Sequence, residues 1–321
     1  METITKSKKE SSALIYNVQN LSFQHNTPFA QLDLPASYAK VYVKLEKYNM
    51  GGSIKAKAAE MMIKQAEKDN LLKPFSGQTI VECSGGNMGL GLTLIAAQRG
   101  YKVQLAIPDN YSITKREILK MLGADVCLSD HTQGNDSHFI LARKLANETP
   151  DAYFISQLEN PANVEAHYCY TGKEIVNAIG QIDCFVAGIG SGGTISGVGK
   201  RIKETFPKAK IIGIQPEGCD TLNGKAVEHK IHGIAIDMLP PILNKAIIDD
   251  MYTITFQEVM DCASHIAKTH GLFLGISSYA NIATAIYFAK KLGKNKTIVT
   301  VAPDSGEAYI ETYINYSINN N

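Results

Sequence analysis

Three short segments place a reactive amine or free backbone N–H groups where chemistry can use them. Ser53-Ile54-Lys55 precedes an amphipathic run. A lysine at a helix N-terminus faces the positive end of the helix dipole, which disfavours its charged form. Burial or a second cation adds to that effect, and a less basic amine is a better imine-forming nucleophile. The same letters also describe a solvated lysine at a helix start. The second segment, Gly188-Ile189-Gly190-Ser191-Gly192-Gly193-Thr194, follows a predicted strand and opens a helix near Thr194. Small residues let the backbone turn sharply and approach an anion closely. N–H groups at the helix start, with the Ser191 and Thr194 hydroxyls, make a phosphate cradle. No Gly-Lys-Ser/Thr follows, which excludes a nucleoside triphosphate P-loop, and the glycines do not match a dinucleotide fingerprint. The third segment is Glu82-Cys83-Ser84-Gly85-Gly86-Asn87-Met88-Gly89. Its Gly85, Gly86 and Asn87 N–H groups suit a substrate carboxylate, and the Asn87 side chain suits a cofactor oxygen. Either glycine segment also reads as a ligand-free tight turn.

The elements that must hold these segments alternate along the chain. Predicted strands cover Val41–Tyr48, Thr79–Ser84, Val103–Pro108, Asp125–Leu128, Tyr153–Ser156, Cys184–Gly188, Ile211–Gln215 and Thr297–Ala302. Predicted helices cover Ala56–Asp69, Met88–Arg99, Thr114–Leu122, Ser137–Asn147, Asn163–Ile179, Ile195–Thr205, Phe256–Thr269 and Tyr279–Lys291, with apolar residues three and four apart. Repeated strand–helix–strand order predicts an α/β protein with mostly parallel sheets. A length of 321 residues allows two domains, and the division is expected near Gln157–Asn163.

Composition narrows the partners. Lysine and arginine number 32 against 31 acidic residues, a formal charge of +1, so no long-range field draws the chain to nucleic acid or an anionic membrane. Six cysteines, Cys83, Cys127, Cys169, Cys184, Cys219 and Cys262, form no CxxC pair and no metal-site pattern. They read as free thiols in a reducing compartment. The opening METITKSKKESS lacks the apolar run of a secretory signal, and no segment is apolar for the roughly 20 residues of a membrane span. A cytoplasmic protein without a metal is expected.

Taken together and in order, the segments from about Val41 to Tyr309 resemble the cysteine synthase and cystathionine β-synthase family of the tryptophan-synthase-β-like enzymes, which use pyridoxal 5'-phosphate. Asn49-Met50-Gly51-Gly52-Ser53-Ile54-Lys55 is similar to the family's Schiff-base lysine motif, with Lys55 at the lysine. Ser84–Gly89 resembles the substrate-carboxylate loop and Gly190-Ser191-Gly192-Gly193-Thr194 the cofactor-phosphate loop. Gln157-Leu158-Glu159-Asn160-Pro161-Ala162-Asn163, then His167, resembles another family segment. Gly275-Ile276-Ser277-Ser278 resembles the one whose first serine faces the pyridine nitrogen. The resemblance implies the two-domain fold type II, with a smaller domain in 1–160, part of whose N-terminal segment crosses to the larger domain, a larger cofactor-binding domain in 161–321, and the cofactor in the cleft between them. It implies Lys55, Asn87, Gly190, Ser191, Gly192, Gly193, Thr194 and Ser277 as cofactor-binding residues. Ser84, Gly85, Gly86, Asn87, Met88 and Gln157 fall on its substrate-binding stretches.

The activity so implied is β-replacement on serine, cysteine or an O-activated serine through an aminoacrylate, with a small thiol, sulfide or water as acceptor. A homodimer is implied as well. A neutral Ser277 across from the pyridine nitrogen suits elimination better than a lingering carbanion.

Departures from the common pattern bear on the substrate. Met50 replaces a proline. Lys55-Ala56-Lys57 replaces Lys-Asp-Arg. Gly85 and Met88 each remove a hydroxyl from the substrate loop, Tyr279 replaces a glycine, and no arginine precedes Tyr309. Asp237 stands where plain cysteine synthases have glycine and cystathionine β-synthases have aspartate. It is the candidate to orient a serine hydroxyl or activate a water or thiol, and it also reads as a loop aspartate or helix cap. With Asp237 as a base, cysteine conversion to serine and hydrogen sulfide becomes a specific expectation. A serine/threonine dehydratase-like deaminase, releasing a keto acid, and a degenerate relative that only binds a partner are the alternatives.

Overall fold

The computed structural model describes residues 26–134 and 136–319. The polar N-terminal run lies outside the described residues. The strands are β1 (Phe29–Gln31), β2 (Lys40–Leu45), β3 (Thr79–Glu82), β4 (Lys102–Pro108), β5 (Ala124–Ser129), β6 (Ala152–Phe154), β7 (Cys184–Gly188), β8 (Lys210–Pro216), β9 (Asp250–Ile254) and β10 (Thr297–Ala302). The helices are α1 (Lys55–Lys68), α2 (Asn87–Gln98), α3 (Ile113–Met121), α4 (Ser137–Glu148), α5 (Pro161–Ala166), α6 (Lys173–Ala178), α7 (Gly193–Thr205), α8 (Phe256–His270), α9 (Ile276–Leu292) and α10 (Ile310–Asn319).

The strands form two sheets. One has six strands in the order β1-β2-β10-β7-β8-β9, and the other has four in the order β5-β4-β3-β6. Apart from the antiparallel pair β1–β2, every neighbouring pair is parallel. Parallel strands need helical crossovers, which cover both faces of a sheet and call for continuous apolar runs. The interior strands match that demand: Val81, Phe185, Val186, Ile298 and Val299 have no exposed surface. The two sheets carry separate cores: the larger packs around Val41, Ile214 and Ile282 and around Phe185, Ile195 and Val299, the smaller around Met62, Leu92 and Leu105 and around Val81, Ala106 and Ala142. β2 belongs to the larger sheet and pairs with β10 in the register Val41↔Ile298, although it precedes the whole smaller sheet in the chain.

One predicted helix is interrupted. A π-helical turn, His167–Gly172, joins α5 to α6. Such turns are uncommon and mark places where a side chain is re-aimed. Here it accompanies a buried His167 aimed at the start of α7.

Candidate active site

The loops that follow β3, β7 and β10 leave the carboxyl ends of parallel strands, the usual location of ligand sites in α/β proteins. They meet in one pocket. Lys55, Asn87, Gly190, Ser191, Gly192, Thr194 and Ser277 all line it, together with Gly233, Ile234, Asn281, Asp304 and Tyr309.

Lys55 is pinned by the backbone before it. The Ile54 N–H donates to the Pro303 carbonyl at 2.8 Å, and Ser53 bridges to Asp304. α1 therefore starts against the end of β10 although its body packs on the smaller sheet. Desolvation lowers the pKa of the Lys55 amine, while the Asp304 and Glu82 carboxylates pull it upward. Neither carboxylate forms an ion pair with it within 4.0 Å.

Lys57, two residues on, has the opposite surroundings. It sits with no exposed surface, 3.0 Å from Glu46 and 2.9 Å from Glu174, and Lys44 lies 2.5 Å from Glu174. This buried network ties α1 to β2 and α6.

The glycine segment after β7 is tightly supported. Gly192 adopts a left-handed φ of 84°, and a Cβ there would lie 2.8 Å from that of Leu243. The Ser191 hydroxyl accepts from the Gly193 N–H at 3.4 Å and from Asn163 Nδ2 at 3.2 Å. The Thr194 hydroxyl lies 3.3 Å from His167 Nε2, and His167 Nδ1 lies 3.1 Å from the Thr171 hydroxyl. Burial, with Lys55 and Lys57 nearby, holds the His167 pKa well below its ordinary value, which favours the neutral ring. The first N–H groups of α7 have no intrahelical acceptor.

The segment after β3 is held more lightly. The Ser84 hydroxyl accepts from the N–H groups of Gly86 and Gly89, at 3.4 and 3.3 Å. Asn87 donates to Asp304 Oδ2 at 2.6 Å across the cleft. Gly85 lies under an aromatic ring: a Cβ there would be 2.7 Å from Tyr111 Cε1. The lost side chain at this position is thus matched by Tyr111. Met88 is buried in the core of the smaller sheet. Gln157 donates its backbone N–H to Glu82 at 2.9 Å, and its carbonyl accepts from Asn163.

Asp237 is exposed on the loop three residues beyond Ile234, and its carboxylate accepts from the Ala226 N–H at 3.2 Å. Tyr279 is buried in the core of the larger sheet, with its hydroxyl donating to the Leu272 carbonyl at 2.6 Å. Among the described residues one trio, Asp109, Asp130 and His131, has the spacing to hold a metal ion; all three are exposed.

Sequence reasoning missed Asp304. It is buried and accepts from Asn87, from the Tyr309 hydroxyl at 2.5 Å and from the Ser278 hydroxyl at 3.4 Å. Burial raises its pKa, and those hydrogen bonds oppose the rise. Its signal was its place: a carboxylate two residues past the end of a parallel strand.

Comparison with known proteins places the chain in a family. The model of the family described as "Pyridoxal-phosphate dependent enzyme" matches residues 21–304. The chain belongs to that family. It is similar to a cysteine synthase of Staphylococcus aureus, 41% identical over 278 residues that cover 85% of this chain and 88% of the relative. A crystal structure of O-ureido-L-serine synthase superposes with a TM-score of 0.89 at 31% identity, covering 96% of this chain and 98% of the other. A hydrogen sulfide-producing enzyme of Fusobacterium nucleatum superposes with a TM-score of 0.84 at 35% identity, covering 90% and 89%. A variant of that enzyme was captured with an α-aminoacrylate intermediate. The two sheets are the two Rossmann-like units of fold type II in this family, and the chemistry at family level is β-replacement on serine- or cysteine-like amino acids.

The residues of the pocket fit pyridoxal phosphate. A desolvated amine, a helix start with two hydroxyls and a neutral hydroxyl on Ser277 share one lining. No helix among the described residues is long and apolar enough to cross a membrane.

Proposed function

We propose that this chain catalyses β-replacement on serine, cysteine or an O-activated serine, with a small thiol, sulfide or water as acceptor. The observation that carries the reading is the desolvated Lys55 amine in one pocket with Asn87, the Gly190–Thr194 loop and Ser277. Lys55 would hold pyridoxal phosphate. The N–H groups and hydroxyls of Gly190, Ser191, Gly192, Gly193 and Thr194 would take its phosphate, and Ser277 its pyridine nitrogen. When bound, the cofactor draws electrons away from the substrate α-carbon, which is the hard part of the chemistry.

The chain's own groups do the rest. The N–H groups of Ser84–Asn87, with Gln157, bind the amino acid carboxylate. Asp304 holds the Asn87 amide in place. The Lys55 amine, uncharged at lower pH than an exposed lysine, removes the α-proton and returns it. Asp237 is the proposed base for the acceptor. Its present partner is the Ala226 N–H, so that role calls for the loop beyond Ile234 to move inward.

The domain division at residue 160 with β1 and β2 crossing over, a homodimer, and a cytoplasmic setting complete the reading. Six free cysteines support the last.

The test mixes cofactor-loaded protein with cysteine, serine and O-acetylserine in turn, against sulfide, homocysteine and water, and identifies products by mass. A new β-substituted amino acid, or serine and sulfide from cysteine, is expected. Keto acid and ammonia alone would replace the proposal with a deaminase. Undiminished cysteine conversion by Asp237→Asn would remove Asp237 from the acceptor step.

A further inference from the structure

A cation at the mouth of the cleft has no role in the chemistry above. Lys115 lies in the first turn of α3, on the smaller sheet's side. Its ammonium stands 5.8 Å from the centre of the Tyr111 ring and 5.4 Å from that of Tyr309, which lines the pocket from the other side. Among the described residues no carboxylate lies within 4.0 Å of it. The acids that act on it from further away are Asp304 and Glu311. Asp304 is already committed to Asn87, Tyr309 and Ser278.

Three further observations describe this place as prepared for an anion. The Lys115 amine is partly desolvated, and its pKa is lowered for that reason first. The Tyr111 ring lies against Gly85 and its hydroxyl beside Gly86, on the proposed carboxylate loop, and that hydroxyl has no hydrogen-bond partner among the described residues. The His232 ring stacks on Tyr309 at 6.3 Å and 19°. Aromatic faces stabilise a cation without neutralising it. An anion reaching the site from the pocket would therefore meet an unpaired ammonium and a free phenol in a partly dry setting, where attraction is stronger than in water.

We propose that Lys115, held between Tyr111 and Tyr309 at the mouth of the cleft, binds an anionic group that a substrate carries beyond its β-carbon. This rests on the β-replacement reading and narrows it: Lys115 selects substrates with a distal carboxylate or phosphate over uncharged ones. The group can belong to the acceptor, as in a carboxylated thiol, or to the leaving group of the donor, as in O-phosphoserine.

The test is calorimetric titration of cofactor-loaded protein with two thioether amino acids, S-carboxymethylcysteine and S-ethylcysteine. Lys115→Met should weaken the carboxylated ligand about tenfold, the scale of one charge contact, and leave the neutral ligand within about twofold. Lys115→Arg should retain the difference, because it keeps the charge. In turnover, a raised KM for mercaptoacetate with O-acetylserine as donor assigns the site to the acceptor. A raised KM for O-phosphoserine with sulfide as acceptor assigns it to the leaving group. Equal weakening of both thioether ligands, or of neither, overturns the proposal. Wild-type protein that binds the carboxylated ligand through Lys115 yet yields no β-replaced product would overturn the β-replacement reading and leave the anion site standing.

Discussion

Lys55 and Lys57 lie two residues apart on one helix, and the fold treats them in opposite ways. Lys57 is enclosed by Glu46 and Glu174, with Lys44 completing a network that has almost no exposed surface. Lys55 is enclosed too, but its carboxylates, Asp304 and Glu82, stay beyond ion-pairing distance, and desolvation lowers its pKa. A buried charge is tolerated when paired and shifts its protonation when it is not. The contrast separates a lysine that fastens α1 to β2 and α6 from a desolvated lysine without an ion-pair partner, as the proposed role of Lys55 requires. The fastening serves the free amine, since it fixes the helix end that carries Lys55.

The largest effect expected from breaking the contrast is at Lys55 itself. Lys55→Ala should reduce β-replacement by about 10^3-fold or more, the scale of losing a positioned proton-transfer group, while urea denaturation shows an intact fold. Lys57→Met should do the reverse. It leaves Glu46 and Glu174 short of a buried partner, which costs about 3 kcal/mol of stability, with activity per folded molecule reduced far less.

Asp304→Ala falls between the two regions. It strips the Asn87 amide and the Tyr309 hydroxyl of their shared acceptor, a loss of about 1–3 kcal/mol. It should appear as a raised KM for the amino acid donor.

The smallest effect is in pH dependence. The folded pKa of Lys55 lies below its ordinary value of 10.5. Between the two values the unfolded chain binds more protons, so stability rises with pH across that window. Below the folded pKa the penalty of the charged form is fully present. Cofactor-free Lys55→Met should therefore be more stable than wild type at pH 7, and its lead should shrink as pH approaches 10.5. A constant lead across that range would mean that Lys55 is not desolvated.

Much of this was legible in the residues. The strand runs Thr79–Glu82, Cys184–Gly188 and Thr297–Ala302 are short, apolar and followed by turn residues, which is what a strand covered on both faces requires. β1 and β9 were missed because each is short and at an edge, with only partial burial to shape its sequence. α10 escaped because Ile314 and Ile318 remain exposed, and it meets the larger sheet's core through Tyr313 and not through an aliphatic stripe. The Lys55, Gly190–Thr194 and Ser277 segments were visible as local motifs, since each spans only a few residues, and the fold brings them to one pocket.

Relations across the fold were not visible. The fit of Tyr111 over Gly85, the enclosure of Lys57 by Glu46 and Glu174, and the grip of Asp304 on Asn87 join residues 26, 11, 117 and 217 positions apart. The setting of Asp237, exposed and accepting from the Ala226 N–H, is likewise a property of the loop and not of its letter.

The central claim is that Lys55 is the amine that holds the cofactor. Protein reconstituted with pyridoxal phosphate, reduced with borohydride and digested should yield one pyridoxyl-labelled peptide, bearing the label on Lys55 and absent from Lys55→Ala. Label on Lys57, on Lys115 or on no lysine would contradict the account.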